Sequence, residues 1–210
     1  MRSQAFERFG ALMSILTGVA AFGYAVAFII VRTNDALTGL LLALVGLLST
    51  AALVALYGRL REGDGAFALW ALLLGMAGAV ATAAHGAYDL AIALHPPAAT
   101  NLDLPSPVDP RGFMTFGVAG LALFTLSWLI RRGDAGLPRG LGLLGYLSAI
   151  LLVVLYLGRL ILLDATSPVI LVPALVNGFV VGPAWWIWLG LGLRRAAEDA
   201  PVRVSAAASA

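Results

Sequence analysis

The 210-residue chain contains no cysteine and no lysine. Without cysteine it has no disulfide, no thiolate metal site and no cysteine nucleophile. All 13 basic residues are therefore arginine, a bias that, with abundant alanine, glycine and leucine, points to a GC-rich bacterial genome. Charge is scarce as well, with Asp, Glu, Lys and Arg making up 11% of residues and histidine occurring twice, while 61% are hydrophobic. Soluble domains carry roughly 45–50% apolar residues, and one of this size has too little polar surface to cover such an excess. A disordered chain, a coiled coil and a water-soluble globule are thereby excluded. The net charge is only +2 and the arginines stand beside apolar runs, so the expected partners are membrane lipids and not nucleic acid.

What is present is a series of apolar stretches. A membrane helix needs about 20 mostly apolar residues in a row to cross roughly 30 Å of hydrocarbon. Six stretches qualify, at 10–31, 37–57, 66–94, 113–130, 141–163 and 169–193, each bounded by charge, proline or both. The expected fold is an all-α, polytopic transmembrane bundle of six helices filling 1–193, with 194–210 a flexible tail. Arg2 and Arg8 precede the first stretch in the manner of a signal peptide. Its apolar run is too long for a cleavable one, so it is read as an uncleaved span.

Six crossings put both termini and the second and fourth loops on one side. That side holds Arg2, Arg8, Arg59, Arg61, Arg131, Arg132, Arg139, Arg194, Arg195 and Arg203, against Arg32, Arg111 and Arg159 on the other. By the positive-inside rule both termini are expected in the cytoplasm of a cell whose plasma or inner membrane holds the chain. The five tryptophans, Trp70, Trp128, Trp185, Trp186 and Trp188, all fall toward that side and read as an interfacial belt.

Small residues let membrane helices approach closely. The pairs Gly75 and Gly78, Gly117 and Gly120, Gly142 and Gly145, and Gly178 and Gly182 serve that purpose, either within the chain or at an oligomer seam. Gly178, Gly182 and Pro183 also make a candidate hinge, because proline cannot donate to the carbonyl of Phe179. Leu56-Tyr-Gly-Arg-Leu60 and Leu155-Tyr-Leu-Gly-Arg-Leu160 echo one another, but only with a one-residue insertion, and are read as coincidence.

Polar groups in lipid are expensive, so the few present carry the information. His85 and Asp89, four apart on the third span, share a helix face with Tyr88 beside them. Arg159 follows Tyr156 by one turn near the end of the fifth span, and Asn177 is the amide inside the sixth. These residues are expected at similar depth, forming an outward-facing polar pocket. Asp89 is then either the counter-ion of Arg159 or the start of a loop, with Arg159 reaching to lipid phosphates instead. The proline-rich stretch 95–112 is either a lid or a connector. The two histidines belong to one helix and its exit, which argues against haem. No metal-ligand spacing, Gly-x-Ser-x-Gly elbow or phosphate loop is present, so no cofactor and no metal are expected.

The run Gly136-Leu-Pro-Arg-Gly-Leu-Gly-Leu-Leu-Gly145, the segment Pro173-Ala-Leu-Val-Asn177, and Trp185-Trp-Ile-Trp188-Leu-Gly before paired arginines carry a resemblance. In layout the chain resembles a group of bacterial six-helix membrane proteins that share a domain of unknown function. The resemblance implies fold and location and transfers no residue role. The functional expectation is a non-enzymatic integral membrane protein, either an accessory subunit within a larger assembly or homo-oligomer, or a small-ligand binder. A transporter or channel-like protein is one alternative. An intramembrane enzyme acting on a lipid or isoprenoid, with His85 and Asp89 as acid and base, is another.

Overall fold

The computed structural model describes residues 4–96, 112–133, 135–162 and 167–198. Six helices account for them: α1 (Gln4–Val31), α2 (Asp35–Leu60), α3 (Gly65–Leu94), α4 (Phe113–Arg132), α5 (Arg139–Leu162) and α6 (Pro168–Glu198), and all six are long and apolar enough to cross a membrane. No strand occurs among the described residues. The chain is a multi-pass integral membrane protein. Between 28% and 56% of each span's apolar window is buried inside the bundle, so much of every helix turns an apolar face to lipid. The stretch 97–111, which contains most of the candidate lid, lies outside the described residues.

Local chemistry sets the helix starts. Asn34 caps α2, its Oδ1 accepting from the Leu37 amide at 2.9 Å, and Asp64 caps α3 by accepting from Phe67 at 3.2 Å. Pro168 occupies the first turn of α6, where its missing N–H costs nothing. α6 continues to Glu198, so Arg194 and Arg195 belong to its last turns rather than to the expected tail.

The helices pack in chain order as antiparallel neighbours, and α6 returns onto α1 to close a ring. Backbone contact between α2 and α3 is the closest. Cβ atoms at Gly46 and Gly86 would collide with the backbone of Ala83 and Ala43, and one at Gly39 would come within 2.5 Å of the Leu90 amide. α6 closes on α1 the same way: a Cβ at Gly190 would stand 2.6 Å from the Ala11 carbonyl, one at Gly18 2.8 Å from that of Pro183. The buried Ser14 hydroxyl donates to the Trp186 carbonyl across this seam at 2.6 Å. Gly75 meets Leu53 of α2 and Ala122 of α4, Gly78 meets Ala119 of α4, and Gly120, Gly142 and Gly145 mediate α4–α5 contact, so these glycines pack the ring internally.

The ring is filled at one end only. Ala11, Leu56, Leu60, Ile130, Leu141, Trp185, Leu189 and Leu193 interlock in the half nearer the termini. Just beyond them Glu7 and Arg59, 6% and 7% exposed, form an ion pair between α1 and α2. Arg59 Nη1 also donates to the Ala135 carbonyl at 3.4 Å. That carbonyl is offered by a turn whose next residue, Gly136, has φ +69°, in the left-handed region glycine favours. Arg59 was expected at lipid phosphates and is instead inside the protein, while its neighbour Arg61 lies over the Tyr57 ring.

Two predictions follow from this packing. Gly86→Ala lowers stability by about 1–3 kcal/mol, the usual cost of overpacking, read as an earlier unfolding midpoint in detergent. Glu7→Gln or Arg59→Met alone strands a buried charge and costs about 3–5 kcal/mol. The double substitution Glu7→Gln with Arg59→Met is milder than the sum of the two, and the double-mutant cycle measures the difference.

Candidate functional site

The unfilled half of the ring encloses a cavity of about 1300 Å³. Roughly 300–1,000 Å³ accommodates drug-sized ligands, so this chamber is large. Its mouth lies at the end away from the termini, among Arg32, Asn34, Asp35 and Pro96, and its floor is formed by Leu53, Leu126, Trp185 and Trp186. The interlocked apolar side chains described above close it below.

Three helices leave α-geometry where they border the chamber. Single π-helical segments occupy Val26–Val31 of α1, Phe113–Val118 of α4 and Asn177–Val181 of α6. Each contributes lining residues: Phe28 and Ile29, Thr115 and Phe116, Asn177 and Gly178. Such wide turns are rare and concentrate at functional sites. In α6 the cause is legible. Pro183 has no N–H for the Phe179 carbonyl, and the preceding turn widens so that the Gly182 amide bonds the Asn177 carbonyl. In α1 the widened turn ends at Arg32, which takes φ 54° and folds its Nε onto the Ile29 carbonyl at 2.6 Å.

His85, Asp89, Arg159 and Asn177 all line this one chamber, as do Gly178, Gly182 and Pro183 of the candidate hinge. Tyr88 and Tyr156 are not among the lining residues: Tyr88 is exposed, and Tyr156 stacks against Phe113 with ring centres 5.4 Å apart. Asp89 does not pair with Arg159. Its Oδ2 lies 3.4 Å from His85 Nε2, one turn back on the same helix. Arg159 is exposed and has no carboxylate within salt-bridge distance among the described residues. Asn177 joins α6 to α5, its Oδ1 accepting from the Ser148 hydroxyl at 2.7 Å. This leaves its Nδ2 without a protein acceptor among the described residues. Thr115 Oγ1 is likewise buried with no partner among them.

Several lining groups were not singled out in the sequence. Tyr24 stands within electrostatic reach of both Asp89 and Arg159 and stacks on Phe28, ring centres 5.6 Å apart. Tyr24 is polar at one end and lies deep in an apolar span, which was the available signal. Trp185 and Trp186 correct the expected interfacial belt. Trp185 is 1% exposed and packs edge-to-face on Trp186 at 4.8 Å, making the chamber floor. Trp70 and Trp188 are exposed, and Trp128 is sandwiched between Phe67 and the Arg132 guanidinium.

Interhelical hydrogen bonds in membranes average about 0.6 kcal/mol and reach about 1.7. Ser148→Ala is therefore expected to cost about 1 kcal/mol. A cycle with Asn177→Ala recovers most of that as coupling between the two sites, read from unfolding in detergent.

No protein-family model, curated protein or solved structure matches this chain.

Proposed function

We propose that the protein is a non-enzymatic binder of an amphipathic small molecule, held in the blind chamber of the helix ring. The carrying observation is the chamber's polarity gradient. Charged and hydrogen-bonding groups ring its mouth and upper wall, aromatic and aliphatic side chains form its base, and a packed apolar layer closes the way beyond. A wholly water-soluble ligand would leave the base unsatisfied, and a pure hydrocarbon would strand Thr115, Asn177 and Arg159. A molecule with a polar head and an apolar body satisfies both.

The arginine asymmetry supports a bacterial inner membrane with both termini cytoplasmic, and the layout resemblance to bacterial six-helix proteins agrees with it. The chamber then opens to the outside of the cell.

One observation favours transport as a second reading. The α6 wall is broken at mid-height by the π-helical turn and Pro183, directly above the floor residues Trp185 and Trp186. A hinge there would open the base.

The absence of cysteine makes a clean test. In an Ala174→Cys variant the only thiol lies on the chamber wall. A membrane-impermeant maleimide added to intact cells is expected to label it, whereas the same reagent added to inverted vesicles is not. Labelling from inverted vesicles alone overturns the orientation, and labelling from both sides replaces binding by transport. Protection from both sides overturns the open chamber.

A further inference from the structure

The charges at the chamber mouth are unevenly satisfied. Of the two acids among its described lining residues, Asp89 has His85 Nε2 at 3.4 Å, and Asp35 sits in the first turn of α2, where unpaired amides and the helix dipole favour an anion. The two arginines have no such support among the described residues. Arg32 donates its Nε to the Ile29 carbonyl, and its two Nη groups have no partner among the described residues. Arg159 makes no ion pair among the described residues, although it borders both lipid and chamber.

Arg32 also occupies a costly backbone state. Its φ of 54° is the sole positive value at a non-glycine among the described residues, and such a conformation costs of order 1–3 kcal/mol. It turns the chain out of α1 while the side chain folds back over the helix end beside the chamber. A guanidinium fork matches the paired oxygens of carboxylate or phosphate, which it binds more strongly than neutral acceptors.

Below the arginines the wall becomes apolar. From Ile170, packed against Gly158 one residue before Arg159, to Trp186 on the floor, α6 rises roughly 24 Å at its helical pitch. That is the reach of a long acyl or isoprenoid chain, and Leu152, Leu155, Leu123 and Leu126 line its path.

We infer that the chamber's ligand is a single-chain amphiphile with an anionic oxyacid head, a carboxylate or a phosphate, held between Arg32 and Arg159 with its chain running down to Trp185 and Trp186. The inference rests on the chamber being a ligand site and adds the chemical class of the ligand. Asn177 Nδ2 and Thr115 Oγ1 offer hydrogen bonds to any oxygen borne on the upper part of the chain. A cationic head is disfavoured, because Arg32 and Arg159 repel it, while Asp89 faces His85 and Asp35 is held by the dipole of the α2 N-terminus.

The floor tryptophans supply the readout. In the full chain carrying Trp70→Phe, Trp128→Phe and Trp188→Phe, only Trp185 and Trp186 fluoresce, and bromine on a bound chain quenches them. Purified protein in neutral detergent is titrated with dibromostearate, dibromo-octadecyl phosphate, the methyl ester of dibromostearic acid and a brominated alkyl-trimethylammonium. Partition into the micelle gives an unsaturable slope, and site binding gives a saturable curve that unbrominated stearate competes away.

Dibromostearate or the phosphate is expected to saturate at a concentration at least about tenfold below that of the methyl ester; whichever saturates first identifies the head. Arg159→Gln and Arg32→Gln each remove most of that preference and leave the ester unchanged, while Arg159→Lys, which keeps the charge without the fork, retains part of it. Equal saturation by acid and ester, or tighter binding of the ammonium, overturns the anionic head and leaves the ligand chamber standing. Absence of saturable quenching by every probe overturns the chamber itself. Should a glutamine variant fail to fold, the head-group comparison on the parent protein decides alone.

Discussion

In lipid, two helices gain nothing by driving water from their apolar side chains, because hydrocarbon already solvates them. Association has to come from shape, and the backbone contact of α2 with α3 is where this protein takes that furthest. Gly39 and Gly46 on one helix and Gly86 on the other leave no room even for a methyl group. That contact fixes the rotation of α3 about its own axis. His85 precedes Gly86 in the chain and Asp89 follows three residues later, so the same contact that seats Gly86 on α2 turns both polar side chains to the chamber wall. The rest of the ring repeats the device more loosely, with Gly18 and Gly190 closing α6 onto α1.

A closed ring of six helices has more interior than side chains of ordinary size fill. The sequence deals with the surplus asymmetrically. Large apolar residues, Trp185 and several leucines, interlock toward the termini, whereas the walls of the opposite half include many small residues, Gly75, Gly78, Ala79, Thr82 and Ser148 among them. One half therefore packs solid and the other stays open. The Glu7–Arg59 pair sits behind the solid half and ties α1, α2 and the turn at Ala135 together. An ion pair so deeply placed gives little net stability over an apolar replacement, but it penalises every arrangement that leaves either charge alone. It selects one assembly of these three elements.

Much of this was legible from composition. The six spans end where arginine, aspartate or proline stops an apolar run, and the observed helices exceed those runs by only a few residues at capped ends such as Asn34 and Asp64. His85, Asp89, Arg159 and Asn177 were found by the cost of placing them in lipid, a property of each residue alone. What escaped notice depends on neighbours distant in the chain. Arg59 and Arg159 sit in nearly the same pentapeptide, yet one is enclosed by Glu7 and the other is exposed at the chamber. The difference lies in α1, not in the local sequence. Likewise Trp185 looks like Trp188 until the ring turns one inward and leaves the other at the surface.

The π-helical turns have a consequence for how such a protein can vary. Each holds one residue beyond the regular helical count, so where no proline forces the widening, deleting a single residue within it restores continuous α-geometry while the flanking helix keeps its facing. Elsewhere in a membrane helix the same deletion swings every following side chain by about 100° around the axis. Segments 26–31 and 113–118 are thus places where the chain can lose a residue without scrambling its contacts, whereas Pro183 keeps 177–181 wide. Both deletable segments border the same hollow, which makes single-residue changes in length a graded way to set its bore.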